Sequence, residues 1–306
     1  MNVSSLTEPD LKRRLAQHGI AIRTGAFVTH LQTAIPRVAE GIHLLYADFP
    51  LIEQGGFADF HVRLARPRNF RRWFKPQVLF LFDGDSTFKP LPLDQAFPML
   101  EWGLNWCVSS HAHSYLMIHA AVIEKDGFAA MLPAPPGSGK STLCAALVNR
   151  GWRLLSDELA LVRLRDRKIM PLPRPISLKN ASIDLLKRYE PRAILSREVA
   201  DTMKGTVAHM KPPADSVARA MEAVPLAWVI FPKYQNGAAT RLDMLPQSRA
   251  LMRVADNAFN YSTLGADGFE ALAGLLENAQ CHDFSYSQLD EAVSAFAALK
   301  PATVLT

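Results

Sequence analysis

The spacing of apolar and polar residues predicts two helices in the first third of the chain. Leucines at helical spacing among charged residues predict a short amphipathic helix over 4–18, with Ser4, Ser5 and Thr7 as candidate N-caps. A longer segment carries apolar residues near one face and predicts a second helix over 93–110.

The segment between these helices contains short β-like runs. The runs are 42–46, 60–64 and 77–82. An Asp83-Gly84 turn follows the last run and predicts a hairpin with 87–91. We therefore expect a small antiparallel sheet within residues 41–89.

A second hairpin is predicted where apolar runs over 116–124 and 128–132 flank a Lys-Asp-Gly turn. It leads into a glycine-rich loop, a predicted helix over 142–150 and a short apolar strand over 152–155. Strand, loop, helix and strand in this order form a βαβ unit, which is typical of an α/β fold.

The rest of the chain continues the alternation of strands and helices. The predicted elements are a hairpin around Asp166, a bend over 171–175, helices over 181–189, 246–257, 268–280 and 287–299, a loop over 204–213, and strands over 226–231 and 281–286.

Composition excludes several classes of protein. The chain has 306 residues, 49% of them hydrophobic, which excludes a disordered chain, and its net charge of +5 fits an anionic ligand without requiring nucleic acid. Cys107, Cys144 and Cys281 lack the short spacings of a disulfide framework or a cysteine-based zinc site. No run approaches the roughly 18–20 apolar residues of a membrane span, so we expect a soluble, cytoplasmic protein.

The loop over 134–141 follows the phosphate-loop pattern, with Ala134 in place of the usual first glycine. It lies between a predicted strand and a predicted helix, which is the context that the motif requires. Gly137 and Gly139 tolerate unusual backbone angles, so the amides of the loop and the helix N-terminus can surround an anion. The candidate nucleotide-binding residues are Ala134, Pro135, Pro136, Gly137, Ser138, Gly139, Lys140, Ser141 and Thr142.

Two side chains of this motif have specific predicted roles. Lys140 is expected to contact the β and γ phosphates, and the Ser141 hydroxyl is expected to ligate a magnesium ion that bridges them. The alternative is a glycine-rich turn that only caps a helix.

An acidic pair, Asp157 and Glu158, follows the short strand after the motif, with Asp157 16 residues after Ser141. We expect that strand to neighbour the strand before the loop, which puts a carboxylate near the γ phosphate. A carboxylate there can accept a proton from an attacking hydroxyl or hold magnesium. The sequence has neither a Leu-Ser-Gly-Gly-Gln signature nor Asn-Lys-x-Asp, so a kinase is favoured over a motor or a switch.

The order of His119, Gly-Ser-Gly-Lys-Ser at 137–141 and Arg-Gly-Trp-Arg-Leu-Leu-Ser-Asp-Glu at 150–158 resembles the HPr kinase/phosphorylase family. The resemblance covers about 47 residues, 116–162. It implies an α/β P-loop kinase core similar to phosphoenolpyruvate carboxykinase, ATP with Mg²⁺ as cofactors, and transfer to a serine hydroxyl. We therefore expect two domains, an α+β N-terminal region over 1–112 and the kinase domain over 113–306. The position of the first region ahead of the motifs suggests substrate recognition or assembly.

The same resemblance assigns the catalytic residues Asp157, Glu158, His119 and Lys140, with Ser141, Asp157 and Glu158 as metal ligands. Glu158 stands where the family has its catalytic Asp, so either carboxylate remains a candidate base, and we expect Asp157 to be indispensable. The family's later glycine-rich signature has no counterpart here. The chain is therefore more similar to the HPr-kinase-related kinases, which implies a peptide, protein or small-molecule acceptor and not HPr with a reverse phosphorylase reaction.

Other features leave alternatives open. The predicted loop with Lys204, His209 and Lys211 is a candidate lid over phosphates. His111 and His113 lack a third ligand at a useful spacing, which favours a solvated helix end over a metal site.

The most basic stretch contains Arg63, Arg66, Arg68, Arg71, Arg72 and Lys75 with Phe70, Trp73 and Phe74. It fits a charged edge, an acidic partner or the interface of a homo-oligomer, and neither nucleic acid nor membrane is expected as a partner. The alternative function is a nucleotide-sensing module that binds ATP and a partner without phosphotransfer.

Overall fold

The computed structural model describes residues 1–53, 55–67, 70 and 74–301. Within these residues the chain is a mixed α/β protein whose strands form three sheets. A search of the same residues for a helix of membrane-spanning length and hydropathy finds none.

The first sheet and its helices lie in the first 111 residues. The helices are α1 (Glu8–Gln17), α2 (Pro36–Leu45) and α3 (Ala96–His111), and the strands are β1 (Ile20–Thr24), β2 (Phe27–Thr33), β3 (Leu51–Ile52), β4 (Phe60–Ala65), β5 (Gln77–Phe82), β6 (Asp85–Ser86) and β7 (Leu91–Pro92). The strand order is β3-β1-β2-β4-β5-β6, and β7 also pairs with β5. Thr7 caps α1, accepting a hydrogen bond from the N–H of Asp10 at 3.3 Å.

One expectation for this region was wrong. Residues 42–46 belong mostly to α2, because Pro36 starts a helix in which Val38, Ala39, Ile42 and Leu45 are buried at helical spacing. The predicted hairpin with 87–91 is confirmed in part, because Leu91 pairs with Val78 and the Thr87 N–H donates to the Phe80 carbonyl at 3.3 Å, but the pairing starts earlier than expected. The turn at Asp83-Gly84, with φ of 48° and 95°, leads directly into β6 (Asp85–Ser86).

The second sheet contains most of the remaining strands. Its strands are β8 (Tyr115–Lys125), β9 (Phe128–Pro133), β10 (Arg153–Ser156), β11 (Leu159–Arg163), β12 (Ile169–Met170), β16 (Leu226–Tyr234), β17 (Arg241–Met244) and β18 (Gln280–Tyr286). The order is β12-β11-β8-β9-β16-β18-β17, with β10 paired to β8. β9, β16 and β18 are parallel neighbours, so their carboxyl ends meet at one edge.

The expectation that β10 neighbours β9 was wrong, because β8 lies between them. β8 pairs with β9 along one side, whereas its other side pairs first with β11 and then with β10. The chain segment between β10 and β11 is the acidic pair, Asp157 and Glu158.

Helices cover both faces of this sheet. They are α4 (Lys140–Val148), α5 (Ala181–Tyr189), α6 (Ala214–Ala218), α7 (Gln247–Ala255), α8 (Tyr261–Leu264), α9 (Ala266–Leu276) and α10 (Leu289–Ala297). One core cluster contains apolar residues of α4, α5 and α10, and a second contains those of α7 and α9. Ala121 and Ile123 of β8 belong to the first cluster while Ala120 and Val122 belong to the second, as the alternation of a strand requires.

The third sheet consists of β13 (Ile176–Lys179), β14 (Val199–Thr202) and β15 (Gly205–Met210), in the order β13-β15-β14. The predicted loop over 204–213 is therefore mostly a strand. His209 is buried at 1% exposure, and Lys211 pairs with Asp48 at 2.8 Å, so neither is free to act in a lid. The Pro-Pro pair after Lys211 favoured the prediction of a loop. Ala208 and Met210 are nevertheless buried in the core that contains α4.

A core cluster under the first sheet also includes Met117, Leu159 and Leu161 of the second sheet. Apolar packing therefore continues across residue 112. The domain division there stays a prediction.

Candidate functional site

Strand register brings the loop, His119 and the acidic pair to one level of the second sheet. Pro133, the last residue of β9, pairs with Ala120, next to His119. On the other side of β8, Leu159 pairs with His119 itself. The residue before Leu159 is Glu158, so the chain turns at the acidic pair directly beside the histidine.

The glycine-rich loop over 134–141 joins β9 to α4 through two left-handed glycines. Gly137 has φ of 87° and Gly139 has φ of 85°. The N–H of Leu143 bonds back to the Gly139 carbonyl at 2.9 Å, which leaves the N–H groups of residues 140–142 at the open end of α4. This helix end has the partial positive charge and free donors that suit an anion.

Two tyrosines contact the backbone of the loop through hydrogen bonds. Tyr234, the last residue of β16, donates its N–H to the Ser138 carbonyl at 2.9 Å. The Tyr286 hydroxyl, at the end of β18, donates to the Gly139 carbonyl at 3.1 Å. Both strands end at the edge where β9 ends, so the sheet fixes the shape of the loop.

Lys140, His119 and Glu158 form a chain of polar contacts in front of the loop. The Lys140 ammonium lies 3.1 Å from His119 Nε2 and 4.0 Å from Glu158 Oε2. His119 Nε2 lies 3.0 Å from Glu158 Oε2. A single ring nitrogen can accept from Lys140 or donate to Glu158 but cannot do both at once, so the position of the ring proton decides which contact is made.

Asp157 is more deeply buried than its neighbour. Its side chain accepts a hydrogen bond from the N–H of Ser177 at 3.0 Å through Oδ2, whereas Oδ1 is buried without a partner in the described chain. A buried carboxylate oxygen without a donor is unfavourable unless a ligand completes it.

The two carboxyl groups differ in acidity. Burial and the charge of Glu158 raise the pKa of Asp157 to about 6, against the effects of Lys140, the Ser177 amide and Ser141. Burial also acts to raise the pKa of Glu158, but the hydrogen bond with His119 and the charges of Lys140 and Lys179 outweigh it and lower that pKa. Asp157 therefore takes up a proton at a higher pH than Glu158 does.

A cavity of about 770 Å³ opens in front of the loop. This volume falls in the range of about 300–1,000 Å³ that is usual for small-molecule and cofactor sites. Its lining includes His119, the loop residues from Pro135 to Thr142, Glu158, Ser177, Lys179, Leu185, Arg188, Tyr189, Tyr234 and Tyr286. Ala134 is buried below the loop and does not line the cavity.

A second, water-sized cavity of about 20 Å³ lies beside Asp157. Glu158 and Ser177 line both cavities, so the two adjoin at these residues. Polar atoms without a partner in the described chain surround the small cavity: Trp102 Nε1, Asp157 Oδ1, Arg174 Nε, Ser177 Oγ and His209 Nε2.

A buried ion pair forms part of the wall of the small cavity. Arg174 donates to the Glu101 carboxylate at 2.7 Å, and the Tyr46 hydroxyl donates to the same carboxylate at 2.7 Å. Glu101 lies on α3, so this pair connects the N-terminal helices to the segment that precedes Ser177.

All the predicted catalytic residues thus lie together, although sequence reasoning missed several neighbours. The tyrosines could have been found, because the carboxyl ends of parallel strands meet at the site. Trp102 and Arg174 gave no such signal, since only packing between distant segments brings them to Asp157.

Other sequence candidates lie elsewhere. The His111 ring contacts the Cys107 carbonyl at 3.0 Å on its own helix. Within the basic stretch, Phe70 and Phe74 are exposed, whereas Arg68, Arg71, Arg72 and Trp73 lie outside the described residues. The role of that stretch stays a prediction.

Comparisons with known proteins add little to this geometry. No family model matches the sequence, and no curated protein matches it. Among solved structures, the Hpr(Ser) kinase/phosphatase from Coxiella burnetii is similar at 11% sequence identity and a TM-score of 0.27, over 59% of this chain and 91% of that chain. A TM-score this low is too weak to support a function.

Proposed function

We propose that the protein is an ATP-dependent phosphotransferase that moves the γ-phosphate of ATP to a hydroxyl group. The observation that carries this proposal is the meeting of the glycine-rich loop, Lys140, His119 and Glu158 at the wall of one cavity. The loop supplies amide donors for phosphate oxygens, and the Lys140 ammonium supplies the positive charge that a transferred phosphoryl group requires.

Magnesium fits the residues present. In the described chain no three His, Cys, Asp or Glu side chains form a metal cage by themselves. Magnesium bound with a nucleotide usually takes only one or two carboxylates and keeps phosphate oxygens and waters. Ser141, Asp157 and Glu158 would hold the ion, because Asp157 Oδ1 is a buried oxygen that needs a partner. The ion would neutralise charge on the phosphates.

The reaction needs a group that receives the acceptor's proton. The acceptor oxygen forms a bond to the γ-phosphorus while the bond from that phosphorus to the β–γ bridging oxygen breaks, and the hydroxyl proton passes to a carboxylate. Glu158 lines the large cavity together with the loop and Asp157 does not, so Glu158 is the better placed base. Asp157 faces the small cavity and suits a metal ligand.

The test is phosphate transfer by wild type and a Lys140→Ala variant. We expect the variant to lose transfer by at least about a hundredfold, because one preorganised charge contact to a developing anion is worth about 2.7–4 kcal/mol. Lys168→Ala, at an exposed lysine in the turn after β11, is the matched control and should keep full activity.

Three outcomes separate the alternatives. Full transfer by a folded Lys140→Ala protein would contradict the proposal. Tight ATP binding by wild type without hydrolysis or transfer would instead favour the nucleotide-sensing module. No binding of ATP at all would remove both functions.

A further inference from the structure

Two lysines that the proposed chemistry does not use lie next to the acidic pair. Lys179 ends β13 and Lys204 lies in the turn between β14 and β15. β13 pairs with β15, with Lys179 opposite Val207, so the pairing brings the turn close to the end of β13. The Lys204 ammonium lies over the Trp102 ring, 5.2 Å from its centroid.

The charges of both lysines reach the site. Lys179 helps to lower the pKa of Glu158, after burial and the contacts with His119 and Lys140. Burial and the positive charges of Lys179 and Lys140 lower the pKa of Lys204, whereas the charges of Glu158 and Asp157 act in the opposite direction. Three ammonium groups therefore repel one another around the acidic pair.

These two lysines also lack a direct ion-pair contact. In the described part of the chain neither Lys179 nor Lys204 forms an ion pair, whereas Lys140 lies 4.0 Å from Glu158 and Lys211 is paired with Asp48. Like charges held together in a partly buried place are unfavourable unless an anion balances them.

A second observation at the same place points to a ligand. Ser177 and Asp157 are 8% and 4% exposed, and Ser177 Oγ and Asp157 Oδ1 have no partner in the described residues. Both side chains line the small cavity where it meets the large one, and Trp102, which holds Lys204, lines it too. A hydroxyl group can donate to a carboxylate oxygen and accept from a serine hydroxyl.

We propose that this junction is the acceptor site and that the acceptor carries a carboxylate or a phosphate next to its reactive hydroxyl. The inference rests on the proposed function and specifies its acceptor. Lys179 and Lys204 bind the anionic group, while the hydroxyl reaches Ser177 Oγ and the Glu158 carboxylate, which leaves Asp157 to the magnesium ion. Lys179 lines the large cavity, whereas Lys204 lines neither cavity and lies beside the small one through its contact with Trp102.

The experiment measures binding of three small probes with the same hydroxyl skeleton: D-glycerate, glycerol 3-phosphate and glycerol. The protein is first saturated with Mg²⁺ and a non-hydrolysable ATP analogue, so that the probes cannot compete for the phosphate loop. We expect at least one charged probe to bind at least tenfold more tightly than glycerol, and the better probe shows which anion the site prefers.

Variants then assign the binding to the two lysines. Lys179→Met and Lys204→Met keep the apolar stem and remove the charge, and we expect the double variant to weaken binding of the charged probe at least tenfold. Lys89→Met, at an exposed lysine beside the first sheet, is the matched control and should bind as wild type. The single variants serve if the double variant has a lowered unfolding midpoint.

Several results would overturn the inference. The inference fails if neither charged probe binds, or if glycerol binds as tightly as the charged probes. It also fails if the double variant binds the charged probe as tightly as wild type does. Loss of analogue binding in the double variant also overturns it, since the lysines would then hold the triphosphate. Failure of the proposed function is distinct, because the analogue would then not bind to wild type, or a folded Lys140→Ala protein would keep full phosphate transfer.

Discussion

Gly139 offers a direct test of how the sheet shapes the loop. Its φ of 85° belongs to the left-handed region, and an added Cβ would lie 2.4 Å from the Tyr286 hydroxyl oxygen and 2.9 Å from the Tyr234 Cβ. Gly137 is the matched control, because it has nearly the same φ, 87°, but a Cβ there would meet nothing within 4 Å. The two alanine variants therefore share the backbone strain and differ in the collision.

The magnitudes follow from these two contributions. A left-handed alanine costs about 1–2 kcal/mol, and the smaller conformational freedom of the unfolded chain returns about 0.4–1 kcal/mol. Gly137→Ala should therefore lower the free energy of unfolding by about 1 kcal/mol. Forcing a methyl group into a filled site adds about 1–3 kcal/mol, so Gly139→Ala should cost about 2–4 kcal/mol.

Urea denaturation of the two variants checks the difference. A Tyr286→Phe variant completes the test, since it removes the hydroxyl that the new methyl group meets and also the hydrogen bond to the Gly139 carbonyl, worth about 0.5–1.5 kcal/mol. We expect the Gly139→Ala, Tyr286→Phe double variant to lose at least about 1 kcal/mol less than the sum of its single variants. Equal losses for Gly137→Ala and Gly139→Ala, with additive effects of Tyr286→Phe, would refute this reasoning.

Two further predictions concern buried charges. Arg174→Met should lower the free energy of unfolding by about 3–5 kcal/mol because it leaves the Glu101 carboxylate buried, whereas a Glu101→Leu, Arg174→Met double variant should recover most of the loss. Arg241→Met breaks an exposed ion pair with Asp243 and is the control, which should lower the free energy of unfolding by less than about 1 kcal/mol. Urea denaturation measures both variants, and a loss below about 1 kcal/mol for Arg174→Met would contradict the prediction. Asp157→Asn should raise the free energy of unfolding at pH 7.5 by about 1–3 kcal/mol, which urea denaturation measures. The raised pKa of Asp157 means that the folded state favours the protonated form, so its contribution to stability is present below about pH 4 and is lost as the pH rises through about 6. The advantage of the variant should therefore shrink towards pH 4, and a constant or growing advantage would show that the buried carboxylate is not the cause.

Some parts of the site could be predicted because they depend on neighbours in sequence. The glycines of the loop, the helix after it and the acidic pair after the next strand all lie within 25 residues, from 134 to 158. Backbone conformation at glycine and the charge of a helix N-terminus are local properties, so the pattern alone predicted the left-handed glycines and the amide groups at the open end of the helix.

Secondary-structure predictions were wrong where the local pattern fits more than one type of element. The apolar residues of 42–46 suit a strand as well as a helix, and only burial against the first sheet selected the helix. The segment over 204–213 looked like a polar loop, yet its pairing with β13 made it a strand and buried His209. Strand pairing depends on distant segments, which a single sequence does not reveal.

Tertiary structure also decided the different surroundings of Asp157 and Glu158. β8 pairs with both β10 and β11, so the chain turns between them and directs Glu158 towards His119 while Asp157 packs against Ser177. The sequence determined that two carboxylates follow the phosphate-loop pattern at this spacing. Only the fold set their different burial, and with it their different acidity, because desolvation and nearby charges depend on residues that are far apart in the chain.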